Sequence, residues 1–119
     1  MRTSKQVVWI TGASSGIGRE MAIQYAAKNF AVAISARRTD LLEELAHTIK
    51  AQGGDVYAVS CDVTDETSIQ YAVRTIADHY GKIDIAVANA GCVVVGFFKN
   101  LTKEEWIRQL DINVIGFAL

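Results

Sequence analysis

The constraint that narrows the fold most is a glycine-rich turn placed between an apolar run and an amphipathic segment. Val7-Val8-Trp9-Ile10 leads into Thr11-Gly12-Ala13-Ser14-Ser15-Gly16-Ile17-Gly18, and a segment of helical period follows. Glycine tolerates left-handed backbone and close approach of neighbouring groups, so such a turn joins a strand directly to a helix with little room between them. The same alternation continues along the chain. Short β-branched runs predict strands over Gln6–Thr11, Ala31–Ala36, Val56–Ser60 and Ile83–Ala88, each of a composition that suits a strand buried on both faces. Helical segments separate them, so the order reads βαβαβαβα and the fold class is α/β: the first half of a Rossmann-like, doubly wound parallel sheet with right-handed crossovers.

The helical stripes can be read residue by residue. Ile69, Ala72, Val73, Ile76, Ala77 and Tyr80 repeat at i, i+3, i+4 and i+7, Leu41, Leu42, Leu45, Ala46 and Ile49 do the same, and Ile17, Met21 and Tyr25 give a narrower stripe. Each predicts a face to bury. Gly53-Gly54 and Gly81 stand where a left-handed residue would end the second and third helices. A fourth helix is expected over 102–119. Thr102 and Glu105 make a capping box and Leu101 can staple to Trp106. Trp106, Ile107, Leu110, Val114, Ile115, Phe117 and Leu119 then make it apolar all round, which predicts neighbours on several sides.

With 119 residues, half of them hydrophobic, the chain reads as one unit, residues 1–119, with composition far from that of a disordered segment. A formal net charge of −1 with no basic stripe disfavours nucleic acid as a partner. No apolar run approaches the roughly 18 residues of a spanning helix, and the first residues lack a signal-peptide core, so a cytoplasmic, membrane-free protein is expected. Cys61 and Cys92 have no CxxC or histidine companion, so no metal site is expected and both read as buried thiols at strand ends. His47 and His79 read as surface residues of helices.

The chemistry gathers at the strand ends. A glycine-rich strand-to-helix turn places unpaired N–H groups and the positive end of a helix dipole at one point, which suits a phosphate. Gly12 would allow the tight turn, Gly16 the approach of a pyrophosphate, and Gly18 close packing of helix on strand. The second strand runs out into Ser35-Ala36-Arg37-Arg38. An NAD-specific site would place a carboxylate there for the adenosine ribose hydroxyls; two guanidinium forks suit a 2′-phosphate instead, with the Ser14 hydroxyl as a further donor. NADP(H) is therefore expected over NAD(H).

Cys61-Asp62-Val63 closes the third strand and Asn89-Ala90-Gly91 the fourth. With TGASSGIG, SARR, CDVT, ANAG and DINVIG in this order, the chain resembles the short-chain dehydrogenase/reductase family along essentially its whole length. The resemblance implies that Gly12, Ser14, Ser15, Gly16, Ile17 and Gly18 form a diphosphate loop. It implies that Ala36-Arg37 marks an NADP-preferring member, and that Asp62 and Val63 lie beside the adenine. Asn89, Ala90 and Gly91 would lie along the ribose nearest the nicotinamide. Asn113 matches the helix asparagine that joins the family's catalytic group by holding a water in a proton relay. Ala88 departs from the pattern, standing where many members carry a first asparagine.

The family's catalytic serine and Tyr-x-x-x-Lys motif fall beyond Asn113. Tyr25, Tyr57, Tyr71 and Tyr80 each lack a lysine four residues on, so the 119 residues alone are expected to hold cofactor without turnover, since ketone reduction needs a general acid. Three readings follow. The first is the cofactor-binding half of an NADP(H)-dependent oxidoreductase acting on a carbonyl or alcohol substrate, homo-oligomeric through the 102–119 helix. The second is a non-catalytic nucleotide-binding module, and the third an interaction fragment.

Overall fold

The computed structural model describes residues 3–14, 16–62, 64–89 and 93–97. Its elements run β1 (Val7–Thr11), α1 (Gly16–Ala27), β2 (Ala31–Ser35), α2 (Thr39–Ala51), β3 (Asp55–Ala58), α3 (Glu66–Tyr80), β4 (Ile85–Asn89) and β5 (Val93–Phe97). They build one sheet in the order β3-β2-β1-β4-β5. The four expected strands are all present, all parallel to one another, and within two residues of their expected ends. The fifth is a correction. β5 pairs antiparallel with β4, Asn89 against Val93, where the reading expected the chain to go from the fourth strand to a helix. Val93-Val94-Val95 is β-branched enough for a strand. The fourth helix expected over 102–119 lies outside the described residues, as does Cys92.

The β1 and β2 side chains alternate between two cores. Val7, Trp9, Ala31 and Ala33 face α3, meeting Ile69, Ala72, Val73 and Ile76. Val8, Ile10, Val32 and Ile34 face α1 and α2, meeting Ala22, Leu42, Leu45 and Ile49. Burial on both faces is why these strands read as unbroken apolar runs. Register explains how the largest side chain fits: Trp9 has Ala33 as its partner on one side and Ala86 on the other, so the indole spreads over small neighbours. Its Nε1–H donates to the buried Ser35 hydroxyl at 2.8 Å.

The stripes of α2 and α3 are buried as expected, with Leu41 and Ala77 at their margins. That of α1 is not. Gly18 and Ala22 face the sheet, whereas Ile17 is 63% exposed. Met21 and Tyr25 are half-buried and pack against the core that α1 shares with α2, and together with Ile17 they also line a surface groove with Glu20, Gln24 and Lys28. Small residues won this face because they let the helix backbone come close to the sheet. Helix α3 starts on an Asp65 N-cap, whose carboxylate accepts from the Thr67 N–H at 3.0 Å, and ends on Gly81 at φ 89°. Gly53 follows α2 at φ 83°, and Asn29 follows α1 at φ 68°, a residue type that tolerates that conformation.

Candidate functional site

Parallel register brings the carboxyl ends of the strands to one edge. Thr11 pairs with Ser35, Ile34 with Ala58, and Ile10 with Val87 two residues before Asn89. Everything that follows these ends therefore collects along a single crest.

At its centre the chain turns from β1 into α1. The Thr11 hydroxyl donates to the Val87 carbonyl at 3.2 Å and the Ala13 N–H to the Ser35 carbonyl at 3.1 Å, so the loop is tied to both flanking strands. Gly12 and Gly16 hold φ of 66° and 60°, which an L side chain resists. Among the described residues a Cβ built on Gly16 would meet nothing within 4 Å, so the space they leave in front of this backbone is open, and Gly16 is the first residue of α1. The first-turn N–H groups of a helix have no intrahelical acceptors. α2 carries Asp40 in its first turn and α3 carries Glu66, but α1 has no acidic residue there. Open space, positive φ and an end without its own anion make a seat that fits a diphosphate. Gly18 is buried against the sheet, as its expected packing role requires, and Ser14 is half-buried beside the loop. Ile17 stands exposed in the same turn.

Beyond β2 and β3 the two chains stay paired, Val59 N–H to Ile34 O at 2.9 Å and Cys61 N–H to Ala36 O at 3.1 Å. This extension carries Asp62 to the neighbourhood of Arg37. The Asp62 carboxylate accepts the Thr64 hydroxyl at 2.7 Å and the Thr64 N–H at 3.0 Å, while its own N–H donates to Ser68 Oγ at 2.9 Å. The Thr64 bonds hold its pKa below the usual carboxylate range, with the Arg37 charge adding in the same direction. Burial pushes the Cys61 thiol up, so it is held neutral.

The two arginines differ. Both are exposed, but Arg38 closes its fork on Asp40, Nε to Oδ1 at 3.2 Å and Nη2 to Oδ2 at 2.9 Å. Among the described residues Arg37 makes no ion pair of this kind. The sequence reading missed Asp40, Thr64 and Ser68. Asp62-x-Thr64 carries a usable signal, since an aspartate two residues before a threonine readily forms a local carboxylate turn.

Gly12, Ser14, Gly16, Ile17, Gly18, Arg37, Arg38, Asp62 and Asn89 thus all fall on the crest. Ser15, Val63, Ala90, Gly91 and Asn113 lie outside the described residues. No group of histidine, cysteine and carboxylate side chains suited to a metal occurs among the described residues.

Residues 6–119 match the family model described as short chain dehydrogenase. The chain belongs to the short-chain dehydrogenase family. An uncharacterized oxidoreductase of Listeria monocytogenes is 36% identical over 116 residues, covering 98% of this chain and 47% of its own length. An alcohol dehydrogenase from Thermococcus sibiricus, solved with 5-hydroxy-NADP, is 36% identical at a TM-score of 0.71, covering 93% of this chain and 48% of its own. A short-chain dehydrogenase/reductase from Burkholderia phymatum, solved with NAD, is 27% identical at a TM-score of 0.73, covering 99% and 42%. The chain thus spans about half the length of these relatives. It is similar to oxidoreductases that hold nicotinamide cofactors of both kinds. Among the described residues no helix is long and apolar enough to cross a membrane.

Proposed function

We propose that residues 1–119 are the NADP(H)-binding segment of a short-chain oxidoreductase that moves hydride between NADP(H) and a carbonyl or alcohol substrate. The observation that carries the cofactor choice is the end of β2: Arg37 stands exposed there with no ion-paired carboxylate among the described residues, at the place where recognition of an unphosphorylated ribose needs an acid. A guanidinium fork meets a phosphate with two parallel charge-assisted bonds. The α1 N-terminus, with Gly12, Ser14, Ser15, Gly16, Ile17 and Gly18, would hold the diphosphate. Asp62 and Val63 would border the adenine, and Asn89, Ala90 and Gly91 the nicotinamide ribose. When bound, the cofactor supplies the hydride; these residues orient it.

On the same reading Asn113 contributes a water-holding amide to the proton relay. The general acid is not among these 119 residues, so they bind cofactor without turning substrate over. Residues 102–119 would join two copies, and a cytoplasmic setting suits the free thiol of Cys61. The test is Arg37→Ala. NADPH binding should weaken roughly 10- to 100-fold while NADH binding is nearly unchanged. Equal loss for the two cofactors would sink the assignment.

A further inference from the structure

Two adjacent arginines at the end of β2 invite the reading that both grip a 2′-phosphate, and the geometry points to a different division. We infer that Asp40 is a specificity-determining residue: it holds the Arg38 guanidinium on the first turn of α2, so that Arg37 alone reads the 2′-phosphate. The inference rests on the NADP(H) reading above.

Three observations carry it. The pair is two-pronged, engaging Nε and Nη2 of Arg38 with both oxygens of Asp40. A fork used this way has one edge committed to a carboxylate, the group whose geometry most resembles that of a phosphate. Asp40 is itself placed by its helix. It stands in the first turn of α2, where the dipole favours an anion. The Arg38 bond, helped by the N–H groups of Leu41 and Asp40, keeps its carboxylate ionised below the ordinary range. The α2 N-terminus is thus already supplied with an anion, unlike that of α1. Finally, among the described residues Arg37 makes no ion pair and interacts with the Asp62 carboxylate through charge alone, while the hydrogen bonds of that carboxylate run to Thr64. Among the described residues, the Arg37 guanidinium is open to a ligand at this end of the sheet, and its neighbour is engaged.

The pair is exposed, so Asp40 can be changed without disturbing a core. The experiment measures binding of adenosine 2′,5′-bisphosphate and of adenosine 5′-monophosphate, which differ only in the 2′-phosphate, to the 119-residue chain by calorimetry. Asp40→Asn should tighten the bisphosphate about three- to tenfold and leave the monophosphate unchanged. Adding Arg38→Ala to Asp40→Asn should abolish that gain. A gain that survives loss of Arg38 would overturn the inference, because removal of a nearby negative charge would then suffice. No gain at all overturns it too, as does an Arg38→Ala loss equal to that of Arg37→Ala. Failure of the underlying reading shows separately, as a parent chain with no preference for the bisphosphate.

Discussion

Adjacent glycines after α2 are required for different physical reasons. Gly53 holds φ 83° with nothing within 4 Å of where a Cβ would stand, so its constraint is conformational. At Gly54 a Cβ would lie 2.6 Å from Ile49 Cγ2, 3.1 Å from Ala26 Cβ and 3.2 Å from the Ile49 carbonyl, so its constraint is space. The sequence treats the two alike, as a helix stop, and only the first has the left-handed backbone that a stop implies. Gly53→Ala should cost about 1–2 kcal/mol through backbone strain. Gly54→Ala must push α1 from α2, and overpacking of that kind costs about 1–3 kcal/mol. Urea unfolding midpoints separate the two when Gly53→Asn is included. Asparagine tolerates left-handed backbone, so it should recover most of the Gly53 loss, and Gly54→Asn should recover nothing.

At the scale of elements, legibility followed how far local pattern and burial coincide. The stripe of α3 was readable because Ile69, Val73, Ile76 and Tyr80 are large and apolar at positions that face the sheet. In α1 the sheet-facing positions are Gly18 and Ala22, which carry little hydrophobic signal, and the conspicuous Ile17 points outward. β5 was missed because Val93–Phe97 follows Ala90-Gly91-Cys92, a sequence also compatible with a loop into a helix, and pairing with β4 decides its state only in three dimensions. Along the crest, Gly16 and Arg37 were legible from type and position, whereas the Arg38–Asp40 pair depends on side-chain direction that spacing does not fix. The start of α3 gives a clean test of one end. Asp65→Ala removes the acceptor of the Thr67 N–H and should cost about 1 kcal/mol, while Asp65→Ser should keep most of it. Thermal midpoints read both; equal losses would show that the cap bond contributes nothing.

Across the whole molecule the two edges of the sheet do different work. Among the described residues the carboxyl edge keeps open space, positive φ and a guanidinium without an ion pair; the amino edge is closed by side chains. There the Val7 N–H donates to Asp84 at 2.7 Å, Lys82 pairs with Asp84 at 3.1 Å, and the Tyr80 hydroxyl donates to Asp55 at 2.9 Å, with Lys5 near the same carboxylate. His79 stacks on Tyr57 beside them at 3.8 Å. Asp55 begins β3 and Tyr80 ends α3, so their bond fastens the edge strand to the helix that crosses the sheet. Burial raises the Tyr80 pKa above its ordinary value, and the Asp55 hydrogen bond and charge raise it further. The sign of the linkage follows. The unfolded chain releases this proton near pH 10, the folded chain only at higher pH, so the folded state binds more protons in that window and stability falls as pH rises. Below the unfolded value the contribution is fully present. The chain should therefore lose stability steeply from about pH 10 upward. Tyr80→Phe should be less stable near neutrality, having lost a hydrogen bond worth about 1 kcal/mol, yet should show a flatter alkaline limb. Urea midpoints measured from pH 7 to 11 separate the two effects, and a variant falling as steeply as the parent above pH 10 would show that Tyr80 is not the group whose ionisation opens this edge.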